Sequence, residues 1–211
     1  MTDLSLHAGS VNLPASLEVP ADPKGIIVFA HGAGSSRHSP RNIAVAEYLR
    51  ITNDFGTLLF DLLTPMEDAV YQNRFDIGLL TERLVAACRW VHTRPETKGA
   101  SLGLFGASTG AAAALKASVV LPHLVTSVVS RGGRPDLAAD VLPLVTAPTL
   151  LIVGGADEQV LELNRQALAM MPEGIGWLEV VPRATHLFEE GGALENVAAL
   201  ARDFFDATFE T

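Results

Sequence analysis

Short runs of mostly apolar residues alternate along this chain with longer segments in which apolar positions recur at helical spacing. The runs at 26–30, 56–60, 101–105, 124–129, 148–153 and 176–181 read as strands, that at 148–153 as fully buried. Between them, helical patterns fall at 41–51, 76–92, 109–120, 158–170 and 193–207. Two leading strands are expected at 4–7 and 15–19, with residues 21–25 turning into strand 26–30. The alternation predicts an α/β fold, a mostly parallel sheet with helices on both faces. Segment 62–75, with Pro65, Met66 and Tyr71, is the candidate cap and is too short to be a domain. The expectation is therefore a single domain over 1–211 without a large cap, leaving open access to its site.

One strand-to-helix junction carries chemistry. The apolar strand ending at Phe105 breaks through Gly106-Ala107-Ser108-Thr109-Gly110 into an alanine-rich helix. A serine in so sharp a reversal stands above the sheet edge, and glycines on either side relieve the crowding. The bland alternative is that Ser108 only caps the helix.

A nucleophilic serine needs a base and an acid that orients the base, and the chain supplies both downstream. Strand 148–153 runs into Gly154-Gly155-Ala156-Asp157, and strand 176–181 is followed by Pro182-Arg183-Ala184-Thr185-His186. Asp157 and His186 thus fall on the same rim as Ser108, at the carboxyl ends of the strands, where ligands gather in such sheets. Asp136, after strand 124–129, is the alternative acid. Strand 26–30 ends in His31-Gly32-Ala33-Gly34-Ser35-Ser36, and the N–H of Ala33 or Gly32 together with that of Thr109 would form an oxyanion hole. Neither nucleotide-binding glycine fingerprint fits this loop.

In motif order, from the strand before His31-Gly32 through the elbow to His186-Leu187-Phe188 and the closing helix, the chain resembles the α/β-hydrolase family, in its small lidless branch related to dienelactone hydrolase. The resemblance implies a serine hydrolase acting on small soluble esters or related acyl compounds, with no cofactor. Dienelactone hydrolase looks to a cysteine nucleophile, whereas this elbow carries Ser108, so the resemblance does not carry over the lactone substrate. An acyltransferase using the same triad, or a binding protein that has lost turnover, are the alternatives.

Composition narrows the partners. A formal net charge of -9, with 15 Lys and Arg against 24 Asp and Glu, argues against nucleic acid or an anionic membrane surface as partner. No apolar run is long enough to span a bilayer. The start of the chain has neither a basic stretch nor a long apolar run, which points to the cytoplasm. Cys88, the lone cysteine, lies in a helical pattern and reads as a small core hydrophobe. No metal-ligand spacing is present. His31, Arg37 and Arg131 are candidates for binding substrate. Arg131 is expected in a loop, where it would either hold an acidic substrate group or, the favoured expectation, pair with Asp136 or Asp140. The sequence leaves the oligomeric state open.

Overall fold

Strands that are apolar on both faces need cover on both faces, and the architecture supplies it. The structure, a computed structural model, describes residues 2–53 and 55–209. Among these, the strands are β1 (Thr2–Ala8), β2 (Val11–Glu18), β3 (Gly25–Ala30), β4 (Gly56–Phe60), β5 (Ser101–Ala107), β6 (Val125–Arg131), β7 (Thr149–Gly154) and β8 (Gly176–Val181). They form one sheet in the order β1-β2-β4-β3-β5-β6-β7-β8. β1 and β2 make an antiparallel hairpin and β2 runs antiparallel to β4, while every other neighbouring pair is parallel. The helices are α1 (Pro40–Asn53), α2 (Pro65–Asp68), α3 (Ile77–His92), α4 (Thr109–Val120), α5 (Glu158–Met170) and α6 (Ala193–Phe209).

The period of two along each strand divides the core. Ile27, Phe29, Leu59, Phe105 and Val129 pack with Val45 and Leu49 of α1 and Val197 and Phe205 of α6. Val28, Leu58, Phe60, Leu104 and Val128 turn the other way, toward Leu84 and Cys88 of α3 and the alanines of α4. Those alanines, Ala111 to Ala114, are fully buried, so α4 lies close against the sheet and its N-terminus is held firmly at the rim. Burial pushes the Cys88 thiol up to about 12, which keeps it neutral and leaves it a packing residue.

The boundaries differ from the sequence reading where pairing continues past the apolar run. β1 and β2 begin earlier than expected, because the hairpin pairs Thr2 with Leu17 and Ala8 with Val11. β5 and β6 run on to the pair Ala107 and Arg131, so Arg131 is the last residue of a strand and not part of a loop. Segment 62–75 forms no domain. It folds into α2 and a 3-10 turn at Tyr71–Phe75, fastened by a capping box between Thr64 and Glu67 and by Arg83 to Glu67 at 2.6 Å. Among the described residues, no helix is long and apolar enough to cross a membrane.

Candidate active site

Ser108 sits between the last residue of β5 and the first of α4 with φ 52° and ψ −121°, a strained conformation for a residue with a Cβ. The glycines make it possible. A Cβ on Gly106 would collide with the backbone of Ala111, and one on Gly110 with the carbonyl of Ala30. The backbone of Ser108 is pinned on both sides: its N–H donates to the Arg131 carbonyl at 3.2 Å, and its carbonyl accepts from the Ala111 and Arg134 amides at 3.1 Å. Its side chain does not cap α4, which removes the bland reading of this serine.

Asp157 occupies the N-cap position of α5 yet makes no capping bond with its side chain. Its Oδ2 lies 2.7 Å from Nδ1 of His186. A carboxylate can only accept, so Nδ1 carries the proton and Nε2 keeps its lone pair as a base. The two loops are tied through their backbones, with the Ala156 amide donating to Ala184 at 2.9 Å and the Gly155 amide to Val181 at 2.8 Å. Asp136, the alternative acid, is instead spent on Arg134, with bonds of 2.8 and 2.7 Å.

Ser108 and His186 line one cavity of about 220 Å³, with Gly32 and Ala33 on its wall. A Cβ on Gly32 would stand 3.8 Å from Ser108 Oγ, and one on Gly132 would stand 3.5 Å from the His186 ring. Among the described residues Ser108 Oγ makes no hydrogen bond. Contacts of a nucleophile with its base are commonly loose without a ligand. The Thr109 N–H, at the first position of α4, has no partner within the helix. The Ala33 N–H donates to the Thr109 hydroxyl at 2.9 Å, so the N–H expected as an oxyanion donor is already engaged.

Two of the expected substrate contacts have other work. His31 accepts from the Leu62 amide at Nε2, 3.1 Å, and therefore donates from Nδ1 to the Gly32 carbonyl, 3.0 Å. Both ring nitrogens are committed to backbone, so His31 staples the oxyanion loop to the residues after β4. Burial lowers its pKa, against smaller opposing effects from the Gly32 bond and from Asp61 and Asp68. Arg37 is tied to Asp61 through its own amide at 2.7 Å and its guanidinium at 3.0 Å. Arg131 reaches the cavity that Ser108 and His186 line, but the pairing expected for it is not formed: Asp136 is taken by Arg134, and Asp140 by Lys116 at 2.7 Å.

Arg41 and Asn42 also line this cavity, and neither is among the residues expected to bind substrate. The available signal was Pro40, which suits the first turn of a helix and so brings the start of α1 to the rim directly after the oxyanion loop. Among the described residues no group of three or more His, Cys, Asp or Glu is arranged to hold a metal ion.

No protein-family model matches the chain. Two proteins of Mycobacterium tuberculosis, from different strains and provisionally named phosphoribosyl transferases, are 57% identical to it over 203 residues, or 96% of this chain. That match is 45% of either protein, so the chain spans about half the length of the curated relatives it matches. Among solved structures, a dienelactone hydrolase from Anabaena variabilis is similar with a TM-score of 0.93 and 49% identity, over 98% of this chain and 97% of that one. An α/β serine hydrolase without a lid, from Xanthomonas campestris, has a TM-score of 0.79 at 22% identity over 98% of this chain and 94% of its own, a likeness of fold alone.

Proposed function

From the premise that this chain belongs to the α/β-hydrolase family, in its dienelactone-hydrolase-like branch, we propose that it is a serine hydrolase that cleaves small esters or related acyl compounds through an acyl-enzyme on Ser108. His186 Nε2 takes the Ser108 proton as Oγ attacks the acyl carbon, then returns it to the leaving alcohol. Asp157 holds the imidazole in the required tautomer and stabilises the imidazolium that forms. The Thr109 N–H, with Ala33 or Gly32, receives the oxyanion. Water, deprotonated by the same His186, then releases the acyl group as a carboxylic acid and regenerates the serine.

The observation that carries this reading is the 2.7 Å bond from Asp157 to the His186 ring, on the wall of a cavity shared with a serine in a strained elbow. The reading concerns the part of the Mycobacterium tuberculosis relatives that this chain matches, and their name describes proteins more than twice as long. Purified protein is expected to hydrolyse p-nitrophenyl acetate and to be labelled by a fluorophosphonate probe, and Ser108→Ala to lose both. Esterase activity that survives in Ser108→Ala overturns the proposal.

A further inference from the structure

A strand at the edge of a sheet offers the N–H and C=O groups of every second residue to whatever can pair with them. β8 is such an edge, and among the described residues it pairs only with β7. The Thr149 amide donates to the Ile175 carbonyl and the Gly155 amide to the Val181 carbonyl, both at 2.8 Å, so the odd-numbered residues of β8 face β7. Gly176, Leu178 and Val180 therefore turn their backbone groups outward. Natural edges are commonly blunted by lysine, proline or a bulge, and β8 carries none of these between Gly176 and Val181. It is mostly apolar instead, with Trp177 45% exposed and Val180 39%.

Both faces of this edge carry apolar side chains. Trp177 stands on the α6 face, its ring edge-on to Phe204 at 5.7 Å, and Leu178 on the α5 face, against Val153, Val160 and Leu161. α5 ends beside the same strand, where a Cβ on Gly176 would collide with Leu168 and Met171.

We infer that a second copy of this chain docks on this edge, its β8 antiparallel to the first about a two-fold axis through Leu178. An axis perpendicular to the sheet keeps each residue on its own face, and residues directly opposite share a face, so even positions meet even and odd meet odd. With the centre at Leu178, Gly176 of one copy meets Val180 of the other and Leu178 meets Leu178. Every outward backbone group of the strand is then paired. A centre at Glu179 would set two carboxylates directly opposite one another and bring Pro182, which has no N–H, against Gly176. A centre at Trp177 would leave Val180 facing Gly174, in a turn with φ 78°.

Charge selects the same centre and a second copy as the occupant. Glu173 before β8 comes level with Arg183 after it, and the axis supplies that contact twice. Both residues are exposed, and neither makes an ion pair among the described residues. A patch whose two ends complement each other is what an isologous dimer requires. Arg183 precedes His186 by three residues, so the contact also steadies the loop that carries this imidazole. None of this depends on the hydrolase reading.

Sedimentation velocity gives the first test. Wild-type protein at roughly 100 μM is expected to run at twice the 22.3 kDa of one chain and to dissociate on dilution. The mass of a single chain at that concentration overturns the inference. Val180→Lys sets a charge on the pairing edge and is expected to weaken the dimer at least about tenfold. Arg183→Glu, in an exposed turn, is expected to weaken it several-fold, and the double variant Glu173→Arg/Arg183→Glu to recover the wild-type affinity; this pair serves should Val180→Lys fail to fold. A dimer that neither single variant weakens overturns the docking mode. Amide exchange read by NMR at Gly176 and Leu178 is expected to be at least about tenfold slower in the wild type than in the weakened variant. Equal exchange in the two proteins puts any dimer contact on another surface and likewise overturns the inference.

Discussion

Two corners of the same rim hold arginines that look alike in sequence and have opposite fates. At the corner after β4, Arg37 closes on Asp61 and His31 spends both ring nitrogens on backbone. At the corner where β6 ends, Arg131 lies buried with donors unanswered, beside a serine whose hydroxyl is equally uncommitted. The closed corner holds the loop 32–35 in place, whereas the open corner leaves polar groups unanswered. A polar group satisfied inside the fold contributes stability, and one left unsatisfied in a cavity costs stability and offers binding.

The largest effect is expected where a closed pair serves the open serine. Asp157→Asn removes the acceptor that fixes the His186 tautomer, and kcat on p-nitrophenyl acetate should fall by roughly 10³–10⁴ with little change in fold by circular dichroism. A loss under tenfold would mean that another group orients the histidine. Asp61→Asn tests the closed corner, since it removes the charge paired with a largely buried guanidinium. Chemical denaturation should show a loss of about 2 kcal/mol, with hydrolysis of p-nitrophenyl acetate retained.

Arg131→Met should move stability the other way. Replacing a buried, unpartnered cation by an apolar side chain of similar reach is expected to stabilise the protein by about 1 kcal/mol in the same assay. Destabilisation would mark Arg131 as a structural residue and collapse the contrast between the corners.

The smallest effect concerns pH. Because the pKa of His31 is lowered in the fold from an ordinary value of 6.5, the unfolded chain binds a proton that the folded one refuses as pH drops below that value. Its contribution to stability is whole above pH 6.5 and is lost as pH falls toward the lowered folded value. His31→Gln should therefore lose less stability than the parent between pH 7.5 and 5.5, as read by denaturation midpoints. Equal losses in the two proteins would show that His31 does not carry this dependence.

Much of this was legible in the sequence, for reasons that stop at identifiable points. The central parallel strands announce themselves because both faces are buried, whereas β8 at the edge is largely exposed, and the elbow announces itself because Gly106 and Gly110 answer to specific backbone collisions. Asp157 and His186 follow from strand ends, and it is Asp157 that meets the His186 ring while Asp136 meets Arg134. Side-chain pairing was beyond reach. Arg134, three residues from Arg131, takes the nearby Asp136, and Lys116 on α4 takes Asp140, choices fixed by rotamers and register. Arg41 is hidden for another reason: it lies ninety positions from Arg131 in sequence, and only the order of strands in the sheet brings the two to one cavity.

The amide of Ser108 rests on the carbonyl of Arg131, so attacking atom and cation hang from adjacent strands of one rigid sheet. Their separation is measured in units of the roughly 4.8 Å interstrand spacing and does not drift when the surrounding loops breathe. The sheet is in this sense a ruler. Moving one relative to the other would require rebuilding a strand, not reshaping a loop.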